Sequence, residues 1–147
     1  MARRTPPPLD RFLSYRLHQV HKITDRASSA AYAEEFGLPV GEARCLAAIG
    51  TFAPLSVNQL AAKANLDKAQ ASRATQGLVL RGLVVKEAHP EDARGVLLVP
   101  TAEGRRLWNR VMRLIARRNE EVFGCLTRSE QAQLAALLDR VLENARV

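Results

Sequence analysis

The 147 residues suffice for one domain or one compact subunit of an oligomer, and a 47% apolar composition excludes disorder of the whole chain. No apolar run reaches the roughly 18 residues of a membrane span, and MARRTPPPLD is not followed by the apolar stretch of a secretory signal, so a cytoplasmic protein is expected. The net charge of +7 invites an anionic partner, but it is spread as +2 over 1–36, zero over 37–50, +1 over 51–104 and +4 over 105–147.

Residues 1–8, with Arg3, Arg4 and three consecutive prolines, predict a basic arm that cannot be helical. From Leu9 the apolar residues Leu9, Phe12, Leu13, Leu17, Val20, Ile23, Ala27, Ala30 and Ala31 recur at helical steps and predict one helix through about Glu35. Such a helix is about 40 Å long at roughly 1.5 Å per residue. One small domain cannot cover it, which implies a partner helix from a second subunit. Gly37 is expected to end it as a left-handed cap, and Leu38-Pro39 to open a second helix with Cys45, Leu46, Ile49 and Phe52 as its buried stripe.

Ser56-x-x-Gln59 is a capping box for a third helix that buries Leu60, Ala61 and Ala64, and Asp67-x-x-Gln70 repeats the signature for a fourth that closes at Gly82. Leu83-Val84-Val85 then predicts a strand, His89 to Gly95 a polar turn, and Val96 to Val99 the partner strand. Thr101 is expected to cap a fifth helix with Leu107, Val111, Leu114, Ile115, Val122 and Phe123 on one side. The capping box Thr127-x-x-Glu130 opens a last helix expected to bury Leu134, Leu137, Leu138, Val141 and Leu142.

Two short helices, a strand, a charged tip and a second strand, in that order between Ser56 and Gly104, outline a winged helix-turn-helix. That module places one helix in the DNA major groove. The fold class is thus mainly α with a small two-stranded β-wing. Ala71, Ala74, Thr75 and Leu78 share the inner face of the fourth helix, while Ala69, Ser72, Arg73 and Gln76, flanked by Lys68 and Gln70, share the outer one. Arg can fork onto guanine, Gln onto adenine, and Ser or Lys onto phosphate. An ordinary solvated face is the alternative, and the wing that follows weighs against it. At the wing, Asp92 and Arg94 sit two apart, so the carboxylate can orient the guanidinium toward a minor groove. The lobe is nearly neutral, so bulk basicity does not explain DNA binding and placed side chains must.

The run LSVNQLAAKANLDKAQASRATQGLVLRGLVVKEAHPEDARGVLLVPTAEG resembles the core of the MarR family, the multiple antibiotic resistance type regulators. The resemblance rests on Leu60-Ala61, Ser72-Arg73, Leu78, Gly82-Leu83-Val84, Asp92-x-Arg94 and Thr101-x-x-Gly104. It implies three regions: an arm and dimerisation helix at 1–36, a winged helix-turn-helix DNA-binding lobe at 37–104, and C-terminal dimerisation helices at 105–147. It further implies a homodimer on a pseudo-palindromic double-stranded operator, with repression relieved by a small molecule. Ala93 and Lys86 depart from the family, which often has a second basic residue and Arg there, so weaker wing contacts are expected.

Arg16 falls on the apolar side of the first helix, where it must pair with a carboxylate, reach solvent along its stem, or hold an acidic ligand. The family often places effectors near the first and second helices. Tyr15, Arg16 and Cys45 there would suit a small, aromatic carboxylate. Cys45 and Cys125 lack metal-site spacing and read as small apolar residues, with redox sensing as the alternative. His18 and His21 lack a third ligand, so no metal and no cofactor is expected. Arg106, Arg110, Arg113 and Arg117 form a basic stripe, either solvated or facing phosphate. No nucleophile triad, phosphate loop or dinucleotide fingerprint is present, so an enzyme is not expected. The remaining alternatives are a redox- or metal-responsive regulator of the same fold and a winged helix serving as a protein-interaction module. The latter would carry large exposed apolar residues on the outer face of the fourth helix.

Overall fold

The computed structural model describes residues 4–146, so Arg3 of the expected arm lies outside the described residues. Among the described residues six α-helices and one hairpin follow in order: α1 Leu13–Phe36, α2 Val40–Phe52, α3 Val57–Lys63, α4 Lys68–Leu80, β1 Val84–Ala88, β2 Val96–Pro100, α5 Ala102–Phe123 and α6 Arg128–Ala145. The chain forms two compact units, Met1–Met112 and Arg113–Val147.

In the first unit the expected start of the first helix is corrected. Leu9–Arg11 makes a single 3-10 turn, and Phe12 is extended at φ −70, ψ 140 before α1 begins. The preceding prolines leave the chain extended, and one turn closed by Arg11 N–H donating to Pro8 O at 2.9 Å does not propagate through it. Gly37 closes α1 in the left-handed region at φ 64, and Gly82 does the same after α4 at φ 73. The core gathers Leu38 of the α1–α2 connection and Leu46 and Ile49 of α2 with Leu60 of α3, Leu78 of α4, Val84 of β1 and Leu98 of β2. Phe52, expected in that stripe, is half-exposed at the end of α2, with Lys63 Nζ 4.6 Å from its ring centre.

The two strands pair antiparallel, Val84 opposite Pro100 and Ala88 opposite Val96. β1 extends three residues beyond its β-branched start, through Lys86, Glu87 and Ala88, because the partner strand supplies backbone partners that side-chain preference does not encode. The base of the hairpin is fastened to α5. Thr101 Oγ1 donates to Gly82 O at 2.7 Å and accepts Gly104 N–H at 2.9 Å, while Thr101 N–H donates to Leu83 O at 3.0 Å. Trp108 completes the packing of α5 on α2, its Nε1–H donating to Ala47 O at 3.1 Å across Gly50.

The apolar face of α1 is left open: Leu13 is 74% and Ile23 70% exposed. In the second unit α6 has no buried residue, and Leu137, Val141 and Leu142 are more than half exposed, against the expectation that they are buried. The apolar faces predicted from periodicity exist on both helices, and each is exposed within the described residues. The α6 capping box forms as expected, Thr127 N–H donating to Glu130 Oε1 at 2.9 Å. Those bonds from Thr127 hold the Glu130 carboxyl below its usual range, so the carboxylate's share of the cap weakens as pH falls through that lowered value, while Thr127 Oγ1 goes on accepting Glu130 N–H.

A methyl at Gly104 would overlap the Leu83 carbonyl oxygen, which is backbone and cannot swing aside, whereas one at Gly41 in α2 meets nothing within 4 Å. Gly104→Ala is therefore expected to destabilise the protein by about 1–3 kcal/mol in urea unfolding. Gly41→Ala should be neutral or stabilise by up to about 1 kcal/mol. Equal stability of the two variants would contradict this description of the wing base.

Candidate nucleic-acid interface

The helix-turn-helix corner is set by two capping boxes. Ser56 Oγ accepts Gln59 N–H at 3.1 Å to start α3, and Asp67 Oδ1 accepts Gln70 N–H at 2.7 Å to start α4. Between them Asn65 takes a left-handed conformation at φ 55, and Leu66 N–H donates to Ala61 O at 2.9 Å. Asn tolerates that conformation better than most side chains. The turn therefore fixes where α4 starts.

Ala71, Ala74, Thr75 and Leu78 turn α4 inward, and the buried Thr75 hydroxyl is satisfied by donating to Ala71 O at 2.8 Å. Lys68, Ala69, Arg73 and Gln76 are exposed and Ser72 half-buried, so the expected outer face exists as one surface. Gln70 is partly committed, since its Oε1 accepts Asp67 N–H at 3.1 Å and only its amide NH2 is left to donate outward. Leu80 is 88% exposed in the last turn of α4, the one large apolar residue on the exposed side of this helix.

At the wing the expected pairing is corrected. Asp92 Oδ1 accepts the backbone N–H of Arg94 at 3.0 Å, because two-residue spacing in a tight turn brings the carboxylate to the main chain. Gly95 N–H donates to Asp92 O at 2.9 Å and His89 N–H to Gly95 O at 3.1 Å, which closes the tip. Asp92 thus shapes the turn that carries the exposed Arg94.

Residues that the sequence did not single out hold α4 from the side. Glu42 of α2 is 12% exposed at its side chain, and its Oε1 accepts Arg81 Nε–H at 2.9 Å. The same carboxylate lies where a side chain at Gly77 would stand. A glycine inside a helix is the sequence signal of such a close approach, although nothing in the sequence names the neighbour. Two positions on, Arg44 pairs with Asp25 of α1. A groove of about 340 Å³ runs between α2 and α4, with Glu42, Arg44, Gln70 and Arg73 among its lining.

Tyr15 is half-buried, Arg16 is exposed, and Cys45 is fully buried in α2. Arg16 reaches solvent because the face of α1 that carries it is itself open. Burial, reinforced by the charge of Glu42, pushes the Cys45 thiol up to about 11, which keeps it protonated and unreactive near neutral pH. Cys125 is exposed. On the basic stripe of α5, the Arg110 guanidinium lies 5.2 Å from the centre of the Phe36 ring, so part of that stripe covers α1.

Comparison with known proteins agrees with this geometry. Residues 36–95, from the end of α1 to the wing tip, match the model of the MarR family. A MarR/EmrR family transcriptional regulator from Acinetobacter sp. ADP1 superposes with a TM-score of 0.86 at 23% identity, covering 95% of this chain and 99% of that one. The PcaV transcriptional regulator of Streptomyces coelicolor, solved in complex with its natural ligand, is 26% identical with a TM-score of 0.73, over 96% of this chain and 99% of that one. BpsR of Bordetella bronchiseptica, whose DNA binding is regulated by 6-hydroxynicotinic acid, is 19% identical with a TM-score of 0.81, over 93% and 97%. No curated protein matches the chain.

Proposed function

We propose that the chain, whose residues 36–95 match the MarR family model, is a transcriptional repressor of that family that binds a pseudo-palindromic operator as a homodimer and releases it on binding a small molecule. The observation that carries the reading is the outward face of α4, where Lys68, Ser72, Arg73 and Gln76 stand out from a face anchored by Ala71, Ala74 and Leu78. Arg73 and Gln76 read base edges in the major groove, Lys68, Gln70 and Ser72 hold phosphate, and Arg94 enters the minor groove from a wing tip shaped by Asp92. Two such helices on one face of B-DNA set half-sites about 10 base pairs apart. The protein-interaction alternative has only Leu80 in its favour.

The second subunit is supported by the open apolar faces of α1 and α6, which a partner copy would cover. A small aromatic carboxylate is supported as effector class by the hydroxynicotinic acid named for BpsR. Arg16 is the candidate anchor for its charge and Tyr15 for its ring. Cys45 would line such a site only from within the core.

Titration of the DNA upstream of the encoding gene, against a scrambled duplex, should show tighter binding to the former and a decline with salt. Arg73→Ala should narrow the gap between the two duplexes by about 1–3 kcal/mol. Arg94→Ala should weaken both alike; the reverse pattern would exchange the two roles. Sedimentation should give a dimer for the wild type and a monomer-shifted equilibrium for Leu13→Glu, and a monomeric wild type would contradict the dimer. For the effector, calorimetric titration with a panel of aromatic carboxylates should show binding that Arg16→Ala weakens about tenfold or more, near the loss of one charge-assisted contact. Equal affinity in both proteins would remove Arg16 from the site.

A further inference from the structure

The inward face of α4 is made of alanine, threonine and leucine, which fix its depth on α2 and α3 but grip poorly against rotation or sliding along its axis. One polar connection ties α4 to α2 at a defined point. The Glu42 carboxylate is largely withdrawn from solvent, occupies the space left by the missing side chain of Gly77, and accepts the Arg81 guanidinium one turn further on. Its place matters because Gly77 lies four residues after Arg73, on the next turn of the same side, and because Glu42 and Arg73 line one groove. A shift of α4 at this point moves the base-reading side chains with it. We infer that Glu42 is a positioning residue for operator recognition: with Gly77 as its socket and Arg81 as its counter-ion, it sets the register of α4 and thereby the aim of Arg73 and Gln76.

This inference rests on α4 being the base-reading helix, and charge alone makes the opposite forecast. Glu42 is an acid close to the DNA-facing surface, so in a purely electrostatic account its removal relieves repulsion and tightens binding to any DNA. A positioning role requires that its removal loosen binding to the operator while binding to other DNA holds or tightens. Gly77→Ala separates the two further. It changes no charge and favours the helix, yet its methyl displaces the Glu42 carboxylate, the end of a flexible side chain that can swing out without disrupting the core.

The experiment compares wild type, Glu42→Ala, Gly77→Ala and Arg81→Gln by anisotropy on the operator and on a scrambled duplex of the same length, at two salt concentrations, with the thermal midpoint of each protein. The expected result is a three- to tenfold loss of discrimination, on the order of one imperfect base contact, in all three variants. Gly77→Ala should show it without a fall in thermal midpoint, and Glu42→Ala without any loss of affinity for the scrambled duplex. Wild-type discrimination in Gly77→Ala and Glu42→Ala would overturn the inference, as would tighter operator binding by Glu42→Ala. Absence of discrimination in the wild type would instead overturn the reading of α4 as the DNA-reading helix.

Discussion

Everything proposed for this protein depends on how closely α4 lies on its neighbours. Ala71, Ala74 and Thr75 are short enough to let the helix sink against α2 and α3, and Leu78 fills the remaining space in the core. That burial on one side leaves Lys68, Ala69, Arg73 and Gln76 standing on the other. With only +1 net charge over residues 51–104, the lobe has little general attraction for DNA to spend. Recognition must come from side chains held in the right place, and the supporting contacts acquire functional weight for that reason.

Those contacts form a connected set within the first unit. The two capping boxes and the left-handed Asn65 fix the start of α4, Glu42 with Gly77 and Arg81 fixes its far half, and Thr101 ties the end of the helix to the wing base and α5. α2 is bonded on both sides, to α4 through Glu42 and to α1 through Arg44 and Asp25. Cys45, fully buried between them with its thiol pushed up to about 11, packs as part of this scaffold.

Where a feature depends on local chemistry, the sequence made it legible. The three capping boxes, the glycine ends of α1 and α4, the two faces of α4 and the hairpin with its seven-residue tip all follow from spacing within a few residues. Features that depend on distant neighbours were hidden. Nothing near Glu42 in sequence announces Gly77 or Arg81, which lie more than thirty positions away. The exposure of α1 and α6 has the same origin in reverse: periodicity reports that a face is apolar, not whether anything covers it. Asp92 was misassigned because side-chain reach was considered and the nearer backbone N–H was not.

The central claim is that placed side chains of α4 read base edges in the major groove. Its most direct test is operator binding with 7-deazaguanine substituted singly for each guanine, which deletes the N7 acceptor while leaving phosphates, charge and minor groove unchanged. The account predicts that affinity falls at symmetry-related positions in the two half-sites and that Arg73→Ala loses this sensitivity. Binding indifferent to every such substitution, in an operator whose half-sites contain guanine, would contradict it.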